Sequence, residues 1–269
     1  MTVEPIDADR FAEADRIPEV LRRLDAVQVA AEKQPRSSHD GLACFNHLYT
    51  VITRQVQDDY LAGKFANGDF ITRLDVSFAN RYLSAVYDEI EAAPRPWQCL
   101  LEQRSDRWIS PLAFAVVGVS AHVNFDLAFA VVETGTQMGQ LNPVDHNDYQ
   151  HLNAIFFREM HKLRRYYESG NERWLERNLG LTTVENILGD ALVVVSRYLA
   201  WNKAMRLWHQ RTEAGADASD EHTTAKSVGS LNHGVLVSDH ALRQAYSESE
   251  HAVRNVFSAV SGRIRGARS

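Results

Sequence analysis

Apolar residues recur along most of this chain with the three-to-four-residue spacing of an α-helix, and alternating strand-like runs are scarce. Residues 18–33 read as an amphipathic helix opened by Pro18, with Leu21 and Leu24 inward. Residues 39–57 follow, with Ser38 as the expected cap and Leu42, Phe45, Leu48, Tyr49, Ile52 and Val56 on one face. Gly63 and the Asn67-Gly68 pair mark a loop. Asp69 is expected to cap a helix to about 91, closed by Pro94 and Pro96. Ser110 and Pro111 open the most apolar run of the chain, which Gly135 and Gly139 end. Pro143 starts a helix to about 168, stopped by Gly170, and Thr182-x-x-Glu185 has the capping-box spacing before a helix to about 210. Residues 213–230 are small and polar and are expected to be mobile; a last amphipathic helix is expected over 238–264. The pattern therefore predicts an all-α, single-domain bundle spanning 1–269, with about seven helices around a central apolar helix at 111–133.

That central run, SPLAFAVVGVSAHVNFDLAFAVVE, carries His122 and Asp126 one turn apart, so both project from the same stripe. Residues 111–132 are long enough to cross a bilayer. His122, Asn124 and Asp126 at its middle would be costly there, so the expectation is a buried helix and no membrane span. A buried carboxylate must be paired or bind a cation. Asp75 poses the same problem: on a helical wheel it falls between Ile71, Phe78, Tyr82 and Val86.

Two readings of these groups stand side by side. In one, His122 and Asp126 form a private hydrogen bond and Asp75 pairs with an arginine, Arg81 or Arg197. In the other, His47, Asp75, His122 and Asp126 share a zinc or iron ion, two imidazoles and two carboxylates suiting either metal. Asp75 or Glu133 would then act as general base on a metal-activated water. Arg197 lies on one face of its helix with Asp190, Trp201 and Trp208. It either pairs internally or grips an anionic group of a substrate, with Trp201 and Tyr82 as aromatic walls.

Charge and composition narrow the partners. A net charge of −6 and a pI of about 6.0 argue against a nucleic-acid binder. Cys44 and Cys99 are far apart and lack metal spacing, and the acidic N-terminal stretch has no apolar leader; both point to a cytoplasmic protein with reduced thiols. No phosphate-binding glycine loop, GxSxG, HExxH or CxxC occurs.

The runs DGLACFNHLYTVIT (40–53), LDVSFANRYLSAVY (74–87) and PLAFAVVGVSAHVNFDLAFAVV (111–132), with the helix around Asp190 to Trp201, together resemble an uncharacterised, mainly actinobacterial family of unknown function. The resemblance covers roughly 17–210 and implies a bacterial cytosolic setting, but no activity. An Asp on one helix followed by His-x-x-x-Asp on another also resembles, in pattern, the helical zinc phospholipase C and single-strand nuclease group. There such residues hold a metal cluster; Asp75 and the His122/Asp126 pair would match. The leading expectation is thus a metal-dependent hydrolase or lyase/cyclase acting on a small, largely apolar molecule. A non-haem iron oxygenase and a non-catalytic helical binding protein are the alternatives, with a homodimer left open.

Overall fold

The computed structural model describes residues 13–33, 40–167, 182–210, 220–241 and 243–244, the side chains of 157 and 160–194 excepted. Among the described residues there is no strand. Helix α1 (Ile17–Glu32) buries Val20, Leu24, Val27 and Ala31, the spacing of one helical stripe, against α2 (Gly41–Leu61). The cap of α2 is Asp40. One carboxylate oxygen accepts from the Leu42 and Ala43 amides, at 2.9 and 3.2 Å, and the other accepts from Arg104 Nε at 2.9 Å. Ser38, expected in that role, lies outside the described residues.

Helix α3 (Gly68–Tyr87) starts two residues earlier than expected, with Asn67 rather than Asp69 as its cap. Asp148 accepts from the Ala66 and Asn67 amides at 3.0 and 2.6 Å, and Asn67 Nδ2 donates to Asp145 at 2.6 Å. These bonds tie the start of α3 to α7 (Pro143–Tyr167). Helix α4 (Arg95–Gln103) was not expected. Pro96 lies in its first turn, where a missing amide costs nothing, so the Pro-Arg-Pro run opens a helix; α3, expected to run to about 91, has already ended at Tyr87.

The central apolar helix has three parts. Ser110 Oγ accepts from the Ala113 amide at 3.0 Å and starts α5 (Pro111–Ser120). A π-helical turn, Ala121–Asp126, follows, and α6 (Leu127–Met138) ends at Gly139 with a left-handed φ of 73°. Gly135, expected as a stop, is buried inside α6. One continuous apolar core joins α1 to α7 with α8 (Thr182–Gln210) and Leu236. The stretch Pro111–Met138 is long and apolar enough to cross a membrane by length and composition, and 78% of its most apolar window is buried inside the fold.

The C-terminal region departs from expectation. Residues 220–241 are helical, so the last helix is already formed well before 238, and the segment expected to be mobile is helix from 220 onward. The rest of the expected segments there, 213–219, Leu242 and 245–264, and also Gly170, lie outside the described residues.

Candidate functional site

Asp75 on α3 lines a small, partly open cavity of about 50 Å³ between α2, α3, α6, α7 and α8. Tyr49 comes from α2, Phe78 from α3, Leu127 from α6, Phe156 from α7 and Arg197 from α8. Most of the wall is apolar, yet three of its polar atoms lack hydrogen bonds and are shut off from solvent: Asp75 Oδ2, Tyr49 Oη and Arg197 Nη2. The Thr53 hydroxyl lies near the Tyr49 hydroxyl, but the two do not form a hydrogen bond. Buried polar groups are normally satisfied, so three unmet ones around one cavity mark it out.

Burial shapes the chemistry of each. The Asp75 residue is intermediate in exposure as a whole, but Oδ2 is out of solvent, and burial pushes its carboxyl up from 3.8 to about 7. Burial also pushes the Tyr49 hydroxyl well above its ordinary value and lowers that of the Arg197 guanidinium. Arg197 is 5% exposed. Its Nε donates to Asn153 Oδ1, and its guanidinium carbon stands 4.9 Å over the Tyr149 ring. Tyr149 Oη donates in turn to the Arg197 carbonyl at 2.7 Å, which locks α7 to α8 behind the cavity. Arg197 is therefore aimed by its neighbours while one nitrogen stays free.

Behind the cavity wall lies the π turn. Its wide hydrogen bond, from the Leu127 amide to the His122 carbonyl, widens the helix where His122 and Asp126 project. His122 Nδ1 meets Asp126 Oδ2 at 3.1 Å. The His122 ring stacks on Phe78 with centroids 3.4 Å apart and planes 7° apart, and Tyr49 meets it edge-on at 4.5 Å. Burial, stronger here than the pull of Asp126, lowers the pKa of His122. The neutral ring then carries its proton on Nδ1, facing the carboxylate, and leaves Nε2 a buried acceptor without a partner. Asp126 is held from the far side: Trp97 Nε1 donates to Oδ2 at 2.9 Å, and Arg81 Nε stands 3.6 Å from Oδ1.

Arg81 opens onto a second, outer cleft of about 810 Å³ that also reaches Asp126. There it pairs with Glu133 at 2.7 Å and with Glu221, so α3, α6 and the 220–241 helix meet at one guanidinium. The His122–Asp126 pair thus stands between the outer cleft and the inner cavity.

The expected metal ligands do not converge. Among the described residues no three His, Cys, Asp or Glu side chains gather as a metal cluster. Asp126 is committed to Trp97, His122 and Arg81, while Asp75 faces a cavity that Asp126 does not line. His47 is half-buried on α2 and does not line the cavity; burial lowers its pKa against the opposing pull of Glu32. Glu133 is also displaced from its expected role. It is the partner of Arg81 in the outer cleft and does not share the cavity of Asp75.

Of the expected ligand-binding residues, only Arg197 reaches the cavity. Trp201 packs at 4.8 Å on Tyr149 and 4.7 Å on His146, one layer behind. Tyr82 is fully buried and donates to Asn46 Oδ1 at 3.1 Å. The Asp190 side chain lies outside the described residues. Sequence reasoning missed Tyr49, which sat unremarked in the apolar stripe of α2, and the aromatic and amide supports of Arg197. A tyrosine in an apolar stripe is the one signal that could have been read, since its hydroxyl must find a partner.

A model of a family of unknown function matches residues 17–237. No curated protein sequence and no solved structure matches the chain.

Proposed function

The chain belongs to DUF5995, a family of unknown function, and we propose that this protein binds a compact, largely apolar small molecule in the cavity beneath the π turn and moves a proton to or from it through Asp75. The observation that carries this reading is the coincidence at one cavity of an unpartnered carboxyl oxygen, an unpartnered guanidinium nitrogen and otherwise apolar walls. A carboxyl titrating at about 7 holds both protonation states near neutrality, which is what a general acid–base group needs. The reaction class this favours is a hydrolytic or lyase-type step on the bound molecule. Metal assistance, in either the hydrolytic or the iron-oxygenase form, is disfavoured by donors that are already committed elsewhere. Cys44 and Cys99 are both buried and neither is in a disulfide, in keeping with a cytoplasmic protein.

The test is a screen of compact molecules by ligand-observed NMR in D2O with the full chain, followed by proton exchange or turnover of those that bind. Ile52→Phe, which fills the cavity from its α2 wall, should abolish binding. Asp75→Asn should bind and leave the molecule unchanged. Exchange or turnover that persists in Asp75→Asn removes the acid–base role, and binding indifferent to Ile52→Phe removes the cavity.

A further inference from the structure

We infer that the cavity ligand is a short-chain monocarboxylate, its carboxylate held between Arg197 Nη2 and Asp75 Oδ2 and its carbon chain against Ile52, Val56, Ile71 and Leu74. This rests on the cavity reading above and adds the charge and size of what enters.

Arg197 carries the argument. A guanidinium buried in an apolar interior is costly unless an anion compensates it. Among the described residues no carboxylate pairs with it: Nε is taken by a neutral amide, its face by a tyrosine ring, and Nη2 by nothing. Asp75 lies on the same cavity but is not that anion. No ion pair joins the two, and a carboxylate compensating an arginine would be pulled below its ordinary range, whereas Asp75 is pushed above it by burial. Among the described residues, Arg197 thus lacks an anion and Asp75 lacks an acceptor for its proton. A carboxylate meets both needs, one oxygen accepting from the guanidinium and the other from the Asp75 hydroxyl. A cavity of about 50 Å³ has room for a few water-sized groups, which sets the length of the tail at a few carbons. The four aliphatic side chains named above give that tail an apolar wall.

Because Asp75 must hold a proton to donate to the ligand, binding near neutrality takes up a proton. That gives a readout which separates this arrangement from a general preference for anions.

The experiment uses the full chain at about pH 7, with butyrate and its uncharged isostere butyramide as probes, by titration calorimetry in two buffers of different ionisation enthalpy. Butyrate is expected to bind with net proton uptake, and butyramide at least about tenfold more weakly, as loss of a charge-assisted bond implies. Arg197→Gln is expected to weaken butyrate by about tenfold or more while sparing butyramide, and Asp75→Asn to abolish the proton uptake. Circular dichroism checks that each variant folds, and Arg197→Lys, which keeps the charge, retains part of the affinity if Arg197→Gln does not fold. Butyramide binding as tightly as butyrate overturns the carboxylate inference and leaves the cavity reading standing. Butyrate binding that is indifferent to both Arg197 variants overturns it as well. If neither probe binds and xenon does not enter either, both the inference and the cavity reading fail.

Discussion

Trp97 and His122 share a single acceptor, Oδ2 of Asp126, at 2.9 and 3.1 Å. The indole reaches it from α4 and the imidazole from the π turn, so one oxygen joins the short helix opened by a proline to the centre of the bundle. The carboxylate is 1% exposed and its other oxygen faces Arg81. Each of these groups would be left unmet if Asp126 changed.

Asp126→Asn is accordingly expected to lower stability by about 1–3 kcal/mol, the usual cost of leaving buried partners unsatisfied, without loss of helix content. Urea unfolding followed by circular dichroism measures it. An unchanged midpoint would mean that the Trp97–Asp126–His122 cluster is not held as described.

Arg81 joins the C-terminal helix to the core. Its bonds to Glu133 and Glu221 involve carboxylates that are 43% and 41% exposed, and such pairs contribute little on their own. Arg81→Gln is expected to speed hydrogen exchange in 220–241 selectively and to cost up to about 3 kcal/mol through the Asp126 charge it strands. Exchange rates in 220–241 equal to those of the wild type would contradict the bridge.

The pH dependence of stability follows from Asp75. Its folded pKa of about 7 lies above the ordinary 3.8, so between those values the folded protein keeps a proton that the unfolded chain releases. This contribution to stability is present in full below 3.8 and is lost as pH rises through about 7. His122, whose pKa is lowered, slopes the opposite way, so the informative quantity is the difference between variant and wild type. Asp75→Asn is expected to gain on the wild type by about 2–4 kcal/mol between acid and mildly alkaline pH. Parallel stability curves for the two proteins would show that Asp75 is not buried in this way.

Gly118 is where α5 meets α2. A Cβ there would come within 2.3–2.6 Å of Phe45, whose ring is itself part of the aromatic set around His122. Gly118→Ala is expected to destabilise by about 1–3 kcal/mol through overpacking, although alanine favours the helix. A gain in melting temperature would contradict the close approach.

Local pattern carried the helices well, and their packing poorly. Ser110 and Pro111 announced the central helix, and i, i+4 spacing placed His122 beside Asp126, because both signals lie within a few residues. Asp75 and Arg197 were legible as polar residues on apolar faces. Which helices would face them was not. Arg81, a candidate partner for Asp75 by position, turned to Asp126 instead, and Trp97 found the same carboxylate from a helix hidden behind two prolines. The π turn was also illegible, since polar residues in an apolar helix do not by spacing alone reveal a widened turn. The expected metal set failed for the same reason: residue types converge only if their helices do, and His47 and Asp75 face different neighbours.

The most direct test of the account is the titration of Asp75 itself, followed by carbon NMR of selectively labelled aspartate carboxyls and assigned by loss of the signal in Asp75→Asn. The structure leads us to expect one aspartate titrating at about 7, moving higher when a carboxylate occupies the cavity. If every aspartate titrates in the ordinary range, near 3.8, the buried, unpartnered carboxyl does not exist, and the acid–base reading of the cavity falls with it.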